Sequence, residues 1–236
     1  MSKTIVIVGF GPGISTAVAE KFGAAGFSVA LVARNEDRLA AGVQMLRAKR
    51  ITSAAFPADA GDPIAIGAAI GKARATLGPI AVLNWNAFGG AEVDDLATTD
   101  PAVVRGVFDI AVIGLLGAIQ EALPDLKSTK EGAVLITNGA FGEIDPQVDE
   151  YATAVNAVGI ALANAAKHKL VGLLSQRLKK DGVYVGEVMV AGIIKGTPVA
   201  GNGDGIESLT AIESSTVADK FWELYQARGE IRARVS

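Results

Sequence analysis

Short β-branched and aliphatic runs alternate with stretches of helical spacing along nearly the whole chain. Residues 4–8 form an uninterrupted apolar and β-branched run, which predicts a strand buried on both faces, and residues 13–25 carry apolar positions at helical spacing up to Gly26. The alternation continues with strands predicted over 29–33, 54–57 and 80–85 and helices over 36–49 and 63–77. Pro63 stands at a first helical turn, and Asp100-Pro101 is a cap followed by a first-turn proline, opening a long helix to about Leu126. A fifth strand is predicted over 133–137, a helix ending near Lys180, and a sixth strand over 183–190. Residues 192–205 are rich in glycine; Ser214 and Ser215 can cap a last helix through Ala227, and 230–235 suit a final strand.

Strictly alternating strands and helices specify an α/β fold, a Rossmann-type doubly wound parallel sheet. About seven strands are expected, with helices on both faces, as a three-layer sandwich. A length of 236 residues suits one domain, 1–236, with a mobile lid at about 193–215. In such a sheet, ligands bind beyond the carboxyl ends of the strands, so the residues just after each strand are the candidate site.

After the first strand comes Gly9-Phe10-Gly11-Pro12-Gly13-Ile14-Ser15, running directly into a helix. Glycines there let the chain turn tightly and let a diphosphate approach the backbone, where the helix amides stabilise its charge. This predicts a dinucleotide held by Gly9, Gly11, Gly13 and Ile14. A fold selective for NAD commonly places a carboxylate after the second strand to bind the ribose hydroxyls. This chain has Ala33-Arg34-Asn35 instead, and the planar fork of Arg34 suits the 2′-phosphate of NADP(H). NADP(H) is therefore expected in preference to NAD(H), with Arg34 and Asn35 beside the adenosine ribose.

The spacing of Gly9, Gly13 and Ile14 resembles the loop of the short-chain dehydrogenase/reductase family, with Ser15 in place of its third glycine. The resemblance runs from Lys3 to about Thr197. It implies that Asp59, with Ala60, meets the adenine, and that Asn86, in Asn84-Trp85-Asn86-Ala87-Phe88-Gly89, ties strand ends together beside the cofactor. It also places Thr197 near the nicotinamide amide.

The family reduces carbonyls with a tyrosine four residues before a lysine, a serine after the fifth strand and an asparagine in the preceding helix. Two registers compete for these roles. Tyr151 lies thirteen residues after Asn138, but the residue four further on is Val155. Alternatively, Asn164-Ala165-Ala166-Lys167-His168 resembles the lysine segment, with Ala163 at the tyrosine. The first register lengthens a packed helix by about two and a half turns. The second puts about twelve extra residues in a loop, where insertion costs little, and is adopted here. The resemblance then implies that Lys167 binds the ribose, that Asn138 or Gly139 falls at the serine and Ala111 at the asparagine, and that the usual hydroxyl is missing. Tyr151, within the inserted stretch 143–157, is a substitute acid candidate, and Asn138 can orient a substrate through its amide. His168 neighbours Lys167 on a helix and is expected to point elsewhere.

Composition narrows the partners. A net charge of −3 gives no electrostatic footprint for nucleic acid, and the absence of cysteine excludes thiolate chemistry and sulfur ligands. No metal is expected. The apolar run 110–119 is short for a bilayer and reads as a buried helix, so no membrane contact is expected and the location is expected to be cytoplasmic. The expected function is NADP(H)-dependent oxidoreduction of a small carbonyl or alcohol. The alternative is an NADP(H)-binding regulatory or sensor protein without turnover. The resemblance further implies a homodimer or homotetramer, joined through the apolar faces of 103–123 and 161–174.

Overall fold

A computed structural model describes residues 3–197 and 210–236. Seven parallel strands lie in the order β3-β2-β1-β4-β5-β6-β9: β1 Lys3–Val8, β2 Phe27–Ala33, β3 Ser53–Pro57, β4 Ile80–Trp85, β5 Ala133–Gly139, β6 Tyr184–Val190 and β9 Arg232–Val235. The order reverses between β1 and β4, which opens a crevice above their carboxyl ends. A two-residue parallel pair, β7 Ile193–Ile194 and β8 Ala211–Ile212, stands apart from the sheet. Of the lid expected at 193–215, residues 198–209 lie outside the described residues.

Alternation along β1 shows how the three layers are held. Ile5 and Ile7 face a core built with Val18 and Phe22 of α1 (Ile14–Ala24), Leu39 and Leu46 of α2 (Glu36–Ala48) and Phe221 of α8 (Ser214–Ala227). Val6 and Val8 face the other core, with Ile66 and Ile70 of α3 (Pro63–Leu77), Leu115 of α5 (Leu115–Ser128) and Val171 of α7 (Val158–Leu178). Both faces of each central strand are covered, which is why those strands read as continuous apolar runs.

Four local features depart from expectation. The long helix predicted from Pro101 is α4 (Pro101–Phe108), a π-helical segment (Asp109–Gly114) and α5, 28 residues in all. Gly114 sits in that segment because a Cβ there would collide with the carbonyl oxygen of Ala60. By length and composition this helix could cross a membrane, and 33% of its most apolar stretch is buried. The expected burial thus holds only for the sheet-facing side (Ala111, Leu115, Ala118, Ala122), while Val103 and Ile113 are exposed. The stretch 143–157, expected as a loop insertion, folds into α6 (Pro146–Ala154), capped by Asp145, whose carboxylate accepts from Gln147 N at 2.8 Å. The serines expected to cap α8 lie inside it. Its N-cap is Glu213, which makes no side-chain capping bond and instead pairs with Lys195 at 2.6 Å.

Candidate active site

Two glycines and a serine set the turn after β1. Gly9 has φ +86°, and a Cβ there would lie 2.5 Å from Ala87 Cα, so the loop crosses directly against the chain leaving β4. Asn86 fastens the crossing: its backbone amide donates to Val8 O at 2.8 Å and its Nδ2 to Gly9 O at 3.4 Å. Gly13, at φ +90°, is the N-cap of α1 and supplies no side-chain cap. Asn35, Asp62, Asp100 and Asp145 do cap α2, α3, α4 and α6. The first-turn amides around Ile14 therefore suit an anion.

Ser15 is 1% exposed and closes the loop on itself. Its Oγ accepts from Gly11 N at 2.8 Å and donates to Gly11 O at 2.9 Å, while Thr16 Oγ1 donates to the same carbonyl at 2.7 Å. Thr197 covers the turn, its Cγ2 2.8 Å from where a Gly13 Cβ would stand, and its hydroxyl donates to Ile194 O at 2.8 Å.

Arg34 follows β2 and is exposed, its guanidinium 3.9 Å from Asp59 Oδ2. An exposed pair at that separation contributes little, so the fork is free to turn to a phosphate. Asn35 Oδ1 is engaged by Arg38 N at 2.7 Å, which leaves the Asn35 amide hydrogens for a ligand. Arg38 is a residue that the sequence reading missed: its Nη1 lies 3.5 Å from where a Gly11 Cβ would be, bringing a second guanidinium to the loop. Asp59 does not cap α3, a task performed by Asp62. Its Oδ1 accepts from Gly61 N at 2.9 Å.

Across the crevice, β5, β6 and α7 converge on Lys167. This side chain is 2% exposed and donates to Thr137 O at 3.2 Å. Burial pushes its pKa down to about 8, against the opposing pull of Glu187. Glu187 was also missed: it sits in the middle of β6, fully buried. One oxygen accepts from Asn138 Nδ2 at 2.6 Å; the other accepts from Arg232 Nε at 3.0 Å and lies 3.0 Å from His168 Nδ1. His168 Nδ1 thus lies beside this carboxylate without a hydrogen bond to it, while Lys167 points to Thr137 O. Asn138 Nδ2 also donates to Asn164 O at 3.0 Å, so both of its amide hydrogens are engaged and Oδ1 is the atom left without a partner. One turn before Lys167, Ala163 is buried with Val93, Val107 and Ala111 in a small apolar cluster. Tyr151 lies on α6, its ring stacked on Phe141 with centroids 5.9 Å apart.

A glycine turn at a switch point, a helix opened without a cap and a buried lysine across the crevice define a dinucleotide-binding fold of a particular kind. Residues 3–203 match the short chain dehydrogenase family, and the chain belongs to it. A 3-dehydrosphinganine reductase of Arabidopsis thaliana is 29% identical over 186 residues, covering 78% of this chain and 53% of that protein. The chain therefore spans about half the length of this curated relative. Among solved structures, a metagenomic short-chain oxidoreductase in complex with NADP superposes with TM-score 0.80 at 21% identity, covering 99% of this chain and 96% of that one. L-sorbose reductase from Gluconobacter frateurii, complexed with NADPH and L-sorbose, superposes with TM-score 0.83 at 18% identity, covering 100% and 96%. These likenesses establish a shared fold.

Proposed function

We propose that the chain is an NADP(H)-dependent oxidoreductase that interconverts a small ketone and its alcohol. The observation that carries this reading is the uncapped opening of α1 at Gly13 together with two guanidinium groups, Arg34 and Arg38, beside the same loop. The amides at Gly13 and Ile14 would hold the diphosphate, Arg34 and Arg38 the 2′-phosphate, Asp59 and Ala60 the adenine, and Lys167 the nicotinamide ribose. Asn86 would brace the strand ends beneath, with Thr197 beside the nicotinamide amide. The relatives' own names, a 3-dehydrosphinganine reductase and an L-sorbose reductase, support a carbonyl substrate. When bound, the cofactor supplies or takes up a hydride.

The chain's own task is then the proton. Ala163 leaves no hydroxyl one turn before Lys167, and Asn138 has no amide hydrogen left to donate. The Lys167 ammonium, with its pKa near 8, can give a proton at neutral pH. Ketone reduction should accordingly fall about tenfold per pH unit above roughly 8. Lys167→Met should abolish reduction yet stabilise the free protein by about 1–2 kcal/mol at pH 7, because a desolvated charge is removed. The wild type should also gain stability between pH 8 and 10.5, where the unfolded lysine binds the proton that the folded one has released. Thermal melts of both proteins across pH check these signs.

Ala163 and the engaged Asn138 amide also favour a second reading, an NADP(H)-binding sensor without turnover. Incubation with 4-deuterated NADPH and a panel of carbonyls and enones separates the two. Deuterium in a product supports the enzyme; tight binding with none supports the sensor.

The exposed apolar side of the helix running from Pro101 to Ser128 bears on assembly. Val103, Ile113 and, on α7, Leu173 are 38%, 45% and 58% exposed. A second copy of the chain is proposed to cover them, as a homodimer or homotetramer. Ile113→Glu should shift sedimentation to the monomer, and a wild type that is already monomeric contradicts the proposal.

A further inference from the structure

A carboxylate buried in the middle of a parallel strand is costly unless it is paired and hydrogen-bonded. Glu187 is fully buried and has three polar neighbours from three other elements: Asn138 of β5, His168 of α7 and Arg232 of β9. Arg232 is held from its other end as well, since its Nη2 donates to His168 O at 3.0 Å. Of these groups only Asn138 stands near the carboxyl end of a strand, Arg232 lying at the amino end of β9, and the reaction proposed above does not call on Glu187 or Arg232. Their effect must come through the groups they touch or lie near.

We propose that Glu187, held by Arg232, is a positioning residue that sets both the polarity of Asn138 and the charge of Lys167. A carboxylate can only accept, so the Asn138 amide must turn its NH2 toward Glu187 and Asn164 O. The oxygen is then what position 138 can offer, which suits the hydroxyl of an alcohol or a protonated group and not a bare carbonyl. Lys167 donates to Thr137 O, one residue before Asn138, and stands next to His168, so the carboxylate that touches both Asn138 and His168 also opposes the desolvation around the Lys167 ammonium. Among the described residues, α7 itself carries His168, Lys169 and Arg177, the elements packed against it carry Arg105, Asp109, Asp149, Glu150, Lys179, Lys180, Asp181 and Glu187, and Arg232 of β9 reaches His168 O; Glu187 is the charge that opposes the effect of burial on Lys167. This inference rests on the reading of Lys167 as part of the site, but its test uses the nucleotide-free protein and does not depend on turnover.

The experiment follows Lys167 by NMR in full-length protein carrying 13Cε-lysine, the resonance being the one lost in Lys167→Met. In the wild type the midpoint should lie near 8. Glu187→Gln should lower it by about one pH unit, a tenfold change in proton affinity, and Glu187→Asp should restore it. Arg232→Gln, at a partly exposed side chain, should move the midpoint the other way, because the carboxylate loses its counter-charge. A structural role alone would lower thermal stability in each variant and leave the midpoint where it was. An unchanged midpoint in folded Glu187→Gln overturns the proposal. Should that variant not fold, an unchanged midpoint in Arg232→Gln overturns it equally.

Discussion

Gly9→Ala is expected to cost the fold about 2–4 kcal/mol and to remove saturable nucleotide uptake. The conformation at φ +86° is already unfavourable for alanine by roughly 1–2 kcal/mol. The larger part of the effect comes from where the methyl would go, 2.5 Å from Ala87 Cα and 2.8 Å from the carbonyl carbon of Asn86. Both are backbone atoms, held in place by the bond from Asn86 N to Val8 O, so neither can rotate aside. The loop must lift off β4, and the amides of α1 move with it. Gly26→Ala is the matched control. Gly26 also has a positive φ, +92°, but a Cβ there meets nothing within 4 Å. It should lose only the conformational part, roughly 1–2 kcal/mol, with binding intact. Urea unfolding and titration with NADPH, performed on both variants, read the difference.

The arginine pair gives the second large effect. Wild-type protein should bind NADPH at least roughly tenfold tighter than NADH, since one charge-assisted fork can supply that gap. Arg34→Ala should remove most of it, and Arg34→Ala/Arg38→Ala the remainder. Affinity for NADH, which lacks the phosphate, should change by less than about twofold in either variant. The exposed contact of Arg34 with Asp59 offers little resistance to this role. Raised salt should erode the NADPH preference and leave NADH binding nearly unaffected, because the phosphate site lies at the surface. Tryptophan or cofactor fluorescence titrations at two salt concentrations measure all of these affinities.

Much of the fold is written in local pattern. Strands buried on both faces announce themselves as apolar runs, and Pro63 and Pro101 mark their helices correctly. The same Asp-Pro signature occurs a third time, at Asp145-Pro146, where it opens α6. It is legible in the sequence, and reading 143–157 as an inserted loop conceals it. The π-helical segment, by contrast, leaves no trace in a mostly apolar run, where an extra residue per turn breaks no visible period. Its cause is tertiary, the close approach of Gly114 to Ala60.

The site divides in the same way. Its cofactor half is local in sequence, so the glycine turn, Asn86 and Arg34 could all be named from position after a strand. Arg38 was within reach too, four residues beyond Arg34, but a charged residue in the first turn of a helix looks like ordinary surface. Glu187 could not have been found. Its neighbours Asn138, His168 and Arg232 are separated from it by 49, 19 and 45 positions, and only the strand order brings them together.

Isothermal titration calorimetry of the wild-type protein with NADPH, and in parallel with NADH, tests the central claim most directly. The account predicts saturable uptake of one NADPH per chain and NADH binding at least roughly tenfold weaker. Absence of saturable heat with both nucleotides contradicts the account.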